Sequence, residues 1–182
     1  GAYLGQRMTG GSITVSGHTG VFAASGMKGG EIRVAGDAGD FLAAAIPGDH
    51  QGMQGGLVLV GGNAGDRAGD RMRRGALIIN GNAGDYCASR MVAGTIAVGG
   101  TVGRSTGMAM RRGTVLLRST PSGLPVTFND CGRFPLTMLS LLARAWRGLP
   151  GPFGALPDGG LTVRRFMGDV ANDGKGEILV PE

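Results

Sequence analysis

Apolar residues stand two positions apart in six short runs between residues 1 and 118. The inward pairs are Ile13/Val15, Ile32/Val34, Val58/Val60, Leu77/Ile79, Ile96/Val98 and Val115/Leu117. An alternation with a period of two is typical of a β-strand that buries one face. The pattern therefore predicts six short strands, each with one side in a core.

The six runs belong to a repeat of 19 residues, in which one spacing is lengthened to 26. Methionines at 8, 27, 53, 72, 91 and 110 mark the repeat, and three columns of glycine keep the same phase: Gly11, Gly30, Gly56, Gly75, Gly94 and Gly113; Gly17, Gly36, Gly62, Gly81 and Gly100; Gly20, Gly39, Gly65, Gly84 and Gly103. Strands at a fixed place in a repeat stack in parallel and in register. The glycine columns then mark corners, where left-handed backbone or close approach excludes a side chain. The predicted fold is an all-β solenoid, a right-handed parallel β-helix with 19-residue coils over residues 1–118.

The first residue already falls inside this repeat. Gly1 stands 19 residues before Gly20, in the third glycine column. Because a solenoid needs a cap over its open strand stack, we expect either further N-terminal coils or a partner that covers that end.

Residues 119–182 lack the repeat and are expected to form a capping or interface segment. A helix is predicted at about 135–147, with Pro135 in its first turn and with an apolar face made by Leu136, Leu139, Leu142, Ala143 and Trp146. We expect this face to plug the C-terminal end of the solenoid. A loop at 148–160 leads to two short strands, 161–166 and 177–180, that pair along the flank or reach a neighbouring subunit.

Positive charge is concentrated beside the methionine corner of the coil. The formal net charge is +5, and the residues expected to make one edge of the prism basic are Lys28, Arg71, Arg73, Arg74, Arg90, Arg111 and Arg112. Three interpretations stay open: a solvated edge that partly pairs with an acidic column (Asp40, Asp66, Asp85), a subunit interface, or a guide for an anionic ligand. No aromatic residues interleave the basic ones to stack bases, so nucleic acid is not an expected partner.

Few residues have the types and spacing that catalysis needs. His18 shares a column with Asp37, Asn63, Asn82 and Thr101, which predicts a polar ladder at a corner. His50 and Asp49 lie in the inserted loop, 41–52, which we expect to contact a partner. No catalytic residue, bound cofactor or metal site is predicted, and Cys87 and Cys131 are expected to be structural thiols. The columns show no acidic pair of the kind a polysaccharide-active β-helix enzyme uses.

No apolar run approaches the length of a membrane span, and no secretory signal opens the chain. We therefore expect no membrane association and a cytoplasmic location.

The repeat Gly-x-[Ile/Val]-x-Val-x-Gly-x-Ala-Gly resembles the GXGXG domain. That domain occurs in glutamate synthase large subunits and as the C subunit of formylmethanofuran dehydrogenase, whose bacterial counterpart is the formyltransferase/hydrolase complex of methylotrophs. The C-subunit branch is favoured by the 36–52 insertion and by the segments 130–133, 165–169 and 174–177. A composition rich in Ala, Arg and Gly favours the bacterial complex.

This resemblance implies a non-catalytic scaffold subunit in one-carbon metabolism from formaldehyde to formate. It implies a hetero-oligomer with a formyltransferase, an amidohydrolase-like subunit and a further subunit of the family, and a methanofuran-type carrier as substrate of the complex. The polyglutamate tail of that carrier is the anion expected at the basic edge. The alternatives are the C subunit of an archaeal-type molybdenum or tungsten formylmethanofuran dehydrogenase and a glutamate synthase-type structural domain.

Overall fold

Six parallel strands form one wall of a solenoid in the computed structural model, which describes residues 1–159 and 161–182. The strands are β1 (Ser12–Val15), β2 (Glu31–Val34), β3 (Gln54–Val60), β4 (Arg74–Ile79), β5 (Thr95–Val98) and β6 (Thr114–Leu117). They pair in the register that the repeat predicts, with Ile32 between Ile13 and Val58. The longer spacing leaves this register intact, because its extra residues form a loop outside the stack. The predicted β-solenoid is confirmed.

The interior of the solenoid holds the predicted aliphatic columns and small residues. Ile32, Leu77 and Ile96 are completely buried, as are Ala24 and Cys87. The methionines that mark the repeat are also part of this core. From the second coil onwards they are fully buried: Met27, Met53, Met72, Met91 and Met110.

The glycine columns serve both of the predicted purposes. The first column has left-handed backbone, with φ of +94° at Gly30. In the third column the constraint is close approach, since a Cβ on Gly39 would lie 2.8 Å from the carbonyl carbon of Gly20 in the coil below. The first column adds close approach to its left-handed backbone, since a Cβ on Gly30 would lie 2.6 Å from the carbonyl oxygen of Gly11, whereas the third column depends on close approach alone.

Two further sides complete each coil. Isolated parallel bridges join Thr19, Ala38, Ala64, Ala83 and Val102 on the second side. The third side is a stack of turns in which non-glycine residues adopt left-handed backbone, as Phe22 does with φ of 58°. On that side the rings of Tyr3, Phe22 and Phe41 stack with centroids 5.3 and 4.7 Å apart.

The C-terminal helix lies on the outer face of the strand wall, so the prediction that it plugs the end of the solenoid is wrong. Helix α1 (Met138–Ala145) is shorter than predicted. Its Leu139 packs in one cluster with the outward-facing Ile78 and Leu116, together with Trp146 and Phe153. The middle residues of β3 to β6 are apolar, and the helix keeps them from water.

The segment before the helix is a strand rather than a turn. Strand β7 (Asn129–Pro135) includes Pro135, which was predicted to lie in the first turn of the helix. The segment 130–133 contains an irregularity of this strand, where Gly132 has φ of +81°.

Strands β8 (Thr162–Gly168) and β9 (Gly176–Pro181) extend the same sheet beyond β6. Strand β9 pairs in parallel with β6, while β8 and then β7 follow in antiparallel pairing, so the sheet has the order β1-β2-β3-β4-β5-β6-β9-β8-β7. Phe128 and Phe166 join the interior core at this end. Two short 3-10 helices, Pro152–Ala155 and Val170–Asn172, lie in the connections. Gly160, at the end of the predicted 148–160 loop, lies outside the described residues.

In the part of the chain that the structure describes, no helix has the length and apolar character to cross a bilayer.

Candidate functional site: the basic edge

The predicted basic residues lie along one edge because each coil forms a backbone hydrogen bond with the coil before it at the same place in the repeat. The backbone N–H of Lys28 donates to the carbonyl of Met8, that of Arg73 to Met53 and that of Arg111 to Met91, over 2.7 to 2.8 Å. Arg74 and Arg112 follow directly in the chain. We call Lys28, Arg73, Arg74, Arg111 and Arg112 the basic edge.

The other two predicted residues, Arg71 and Arg90, have structural partners. Arg90 binds Asp70 with two hydrogen bonds, from Nε at 2.9 Å and from Nη2 at 2.6 Å. Asp70 is only 2% exposed, and it also accepts a hydrogen bond from Ser89 Oγ at 2.7 Å. Removing a partner from such a buried charge is costly. Arg90 therefore neutralises a buried carboxylate.

Arg71 holds the inserted loop in place. Its Nη1 donates to the carbonyl of Asp49 at 3.1 Å and lies 3.3 Å from Nδ1 of His50. The Asp49 carboxylate accepts from Arg7 Nη2 at 2.9 Å. The inserted loop is thus fixed by two arginines, Arg7 of the first coil and Arg71 of the fourth.

The side chains of the basic edge form no ion pair with any carboxylate in residues 1–159 and 161–182. The acidic column does not neutralise this edge, because its carboxylates bind along their own column. Asp40 accepts from the backbone N–H of Asp66, and Asp66 from that of Asp85, both at 2.8 Å. Among the described residues, the basic edge is therefore a positive surface without ion pairs of its own.

Asp85 ends the acidic column with a different partner. Its Oδ1 accepts from the backbone N–H of Arg104 at 2.8 Å, and its Oδ2 pairs with the guanidinium of the same residue at 2.9 Å. The backbone hydrogen bond, followed by the side-chain one, holds the pKa of the Asp85 carboxyl below its usual value. The predicted pairing of the acidic column with the basic edge is wrong, since the column faces another corner of the coil.

Lys175 extends the basic edge, and sequence reasoning missed it. Because Thr114 pairs with Glu177, the residues two positions earlier, Arg112 and Lys175, stand side by side. The backbone N–H of Lys175 also donates to the carbonyl of Arg111 at 2.7 Å. A cavity of about 670 Å³ lies here, and its lining consists of Val92, Ala93, Arg111, Arg112, Asn172, Asp173 and Lys175. The Gly174-Lys175-Gly176 turn is visible in the sequence, but its pairing with β6 is not.

His18 belongs to the predicted polar ladder. Its Nδ1 accepts from the backbone N–H of Asp37 at 2.8 Å. The same hydrogen bond recurs upward through the stack, from Asn63 to Asp37, from Asn82 to Asn63 and from Thr101 to Asn82, at 2.7 to 2.9 Å. The ladder prediction is confirmed, and each side chain satisfies a backbone donor of the next coil.

His50 does not pair with Asp49 in the way that a general base pairs with its orienting carboxylate. The Asp49 carboxylate binds Arg7, whereas His50 faces Arg71. Among the described residues, no group of three His, Cys, Asp or Glu side chains is placed to hold a metal ion. What the basic edge offers chemically is electrostatic binding of anions.

Comparison with known proteins relates this chain to a solved complex. No protein-family model and no curated protein matches the sequence. Among solved structures, the chain is similar to a chain of the X-ray crystal structure of the formyltransferase/hydrolase complex (FhcABCD) from Methylorubrum extorquens in complex with methylofuran. The two are 41% identical with a TM-score of 0.92, over 100% of this chain and 67% of that chain. This chain belongs to the same formyltransferase/hydrolase subunit family. The predicted relation to a subunit of the formyltransferase/hydrolase complex is therefore confirmed, and the basic edge is a surface of a formyltransferase/hydrolase-type subunit.

Proposed function

We propose that this chain is the C subunit of a cytoplasmic formyltransferase/hydrolase complex, and that it is a scaffold which carries out no chemistry itself. The observation that carries the proposal is the match over the whole chain, at 41% identity and a TM-score of 0.92, to a subunit of such a complex. The proposed partners are a formyltransferase, an amidohydrolase-like subunit and a further subunit of the family. The complex would act on a formylated methanofuran-type carrier in the conversion of formaldehyde to formate.

The scaffold role is supported by how the polar side chains are used. His18, the Asp37 to Thr101 ladder and the acidic column bind backbone groups of the next coil. Arg71, Arg90 and Asp70 fix the turns and the inserted loop. These groups stabilise a rigid stack, which is what a subunit that holds others in place requires.

The test of this proposal is native mass spectrometry of the endogenous complex, isolated through this chain, with subunits identified by peptide mapping. We expect a formyltransferase and an amidohydrolase-like subunit. Recovery of a molybdenum or tungsten protein would instead indicate the archaeal-type dehydrogenase, and recovery with synthase domains a glutamate synthase-type domain. An isolated chain would contradict the scaffold role.

We further propose that the basic edge guides the anionic part of the carrier between active sites on other subunits. Neighbouring coils are about 4.8 Å apart, and Gln54 and Val92 occupy the same place in the coils between the cationic ones. The cations of this edge therefore form a row along the stack with steps of roughly 10 Å. Such a row attracts an extended polyanion, and salt weakens the attraction. Arg71 and Arg90, which belong to the predicted set, are excluded because their guanidinium groups are engaged inside the chain.

Replacing Arg73, Arg74, Arg111 and Arg112 by Gln should raise the KM of the assembled complex for the long-tailed carrier, with a smaller effect at high salt. The control is the replacement of Arg144 and Arg147 by Gln, which removes exposed arginines from α1 and the residues just after it. An unchanged KM in an intact complex would contradict guidance by this edge.

A further inference from the structure

Three apolar side chains are exposed where the solenoid ends. Met108 is 46% exposed, Val126 is 99% exposed and Val170 is 47% exposed. They come from three separate parts of the chain: the last turn of the repeat, the loop before β7 and the 3-10 helix after β8. We call these three residues the end surface.

Hydrogen bonds between immediate neighbours bring the three parts together. The backbone N–H of Val170 donates to the carbonyl of Thr127, the residue after Val126, at 3.0 Å. The backbone N–H of Ala109, the residue after Met108, donates to Oδ2 of Asp169 at 2.9 Å. The chain segments that carry Met108, Val126 and Val170 are thereby held next to one another.

This surface is held on an ordered frame. Asp169, only 3% exposed, also accepts from the backbone N–H of Ala171 and from Nδ2 of Asn172, both at 3.1 Å. Residues fixed in this way lose little conformational entropy when a partner binds. Apolar side chains grouped in water on a fixed frame are typical of a protein interface.

Positive charge borders the end surface on one side. The 3-10 helix that carries Val170 continues into Asn172 and Asp173, which line the same cavity as Arg111, Arg112 and Lys175. This cavity thus contains three cationic side chains and one carboxylate, that of Asp173. Within the described residues none of these three cations forms an ion pair.

We propose that the end surface docks an acidic face of another subunit of the complex, with the three apolar side chains at the centre and Lys175 in the rim; this rests on the proposed function. Opposite charge across a rim favours the correct partner and suppresses others. The cationic rim favours an acidic partner over a second copy of this chain, which would bring an equally cationic rim.

The experiment measures the affinity of this chain for the remaining subunits, purified together, by surface plasmon resonance at two salt concentrations. Val126→Asp and Lys175→Glu should each weaken binding by about tenfold or more, because each places negative charge against an acidic face. Val126→Ala should have a smaller effect. The matched control is Leu141→Asp, which puts the same charge on an apolar side chain of α1 that is 65% exposed, and it should bind like the wild type.

Binding of Val126→Asp and Lys175→Glu with wild-type affinity would overturn the docking site and leave the scaffold proposal standing. Equal weakening by Leu141→Asp would also overturn it. If the wild-type chain itself does not bind the other subunits, both proposals fail. Because Val126 and Lys175 lie outside the arginines tested for carrier guidance, the two experiments do not share a variant.

Discussion

Gly75 and Gly48 have nearly the same backbone conformation in different surroundings. Their φ angles are +95° and +91°. A Cβ on Gly75 would lie 2.7 Å from the carbonyl oxygen of Gly56 and 2.8 Å from Cε of Met53, whereas a Cβ on Gly48 would meet nothing within 4 Å. Comparing these two positions therefore separates the two reasons why a glycine is required, namely backbone strain and steric exclusion of a side chain.

Gly48→Ala should lower the free energy of unfolding by about 1 kcal/mol, the cost of strained backbone. Gly75→Ala should lower it by roughly 1–3 kcal/mol more, because the stack has to shift to admit the methyl group. Urea denaturation of both variants measures the difference. Equal losses would show that the close contact at the corner contributes nothing.

Asp169 makes the C-terminal end sensitive to acid. Burial opposes ionisation of this carboxyl, but interactions with Thr127 and with the backbone N–H groups of Ala109 and Ala171 outweigh it and hold its pKa below the usual value. A carboxyl whose pKa is lower in the folded state contributes stability above its unfolded pKa, and this stability is lost as the pH falls through the folded pKa.

Stability of the wild type should therefore fall below about pH 4, the ordinary value for an aspartate. Asp169→Asn should lower stability at pH 7 and make the fall below pH 4 less steep. Urea midpoints between pH 2 and pH 7 measure both effects. Other aspartates titrate in the same range, so only the difference between the two proteins reports on Asp169; parallel profiles would contradict the assignment.

At the scale of elements, α1 and the strand wall depend on each other. Trp146 is 4% exposed and contacts Phe153 edge to face, with ring centroids 6.1 Å apart. Trp146→Ala should lower the free energy of unfolding by about 3–5 kcal/mol, and the exposed Leu141→Ala by no more than about 0.5 kcal/mol.

Hydrogen exchange on Trp146→Ala tests where the helix packs. The amides of β4 to β6 should lose protection with α1, because their outer face is then wet, while the solenoid interior stays closed. Loss of protection confined to residues near Phe128 and Phe166 would instead place the helix over the end of the stack.

Strands and corners of the solenoid could be predicted because their pattern repeats in every coil. The position of α1 could not, although the sequence contains a signal for it. The outward-facing strand residues are polar in β1 and β2, as Arg33 is, and apolar in β3 to β6, as Ile78 is. This change marks where the wall is covered, but it is visible only when equivalent positions of successive strands are compared, and not within any single strand.

The candidate site was predictable to a similar degree. The place of the basic edge follows from the repeat, since residues such as Arg73 and Arg111 recur at the same corner. The roles of Arg71 and Arg90 depend on contacts with Asp49 and Asp70 that lie in other coils. The position of Lys175 at the basic edge depends on the pairing of β9 with β6, which no local pattern of the sequence predicts.

At the scale of the whole molecule, Cys87 reports on opening of the solenoid. It is completely buried, and burial raises the pKa of its thiol to about 12. Cys131 lies in β7 and is partly exposed. Thiol reagents react with an accessible thiolate. Cys131 should therefore react quickly at pH 8, and Cys87 only as fast as the core opens.

Absorbance after addition of dithionitrobenzoate follows both thiols, and Cys131→Ser should leave only the slow phase. Denaturant should accelerate this phase in proportion to global unfolding. Fast reaction of Cys87 in native Cys131→Ser protein would contradict a closed core.

The pairing of β9 with β6 also bears on the order in which the molecule is made. Coils that follow one another in the chain can stack as they leave the ribosome, because each contacts the one just synthesised. Among the described residues, the free edge of β6 pairs with β9, which is translated after β7, α1 and β8. During synthesis the nascent solenoid therefore presents an unpaired strand edge until β9 has emerged. A ribosome that stalls within β8 would release a product with one end open to pairing with other chains.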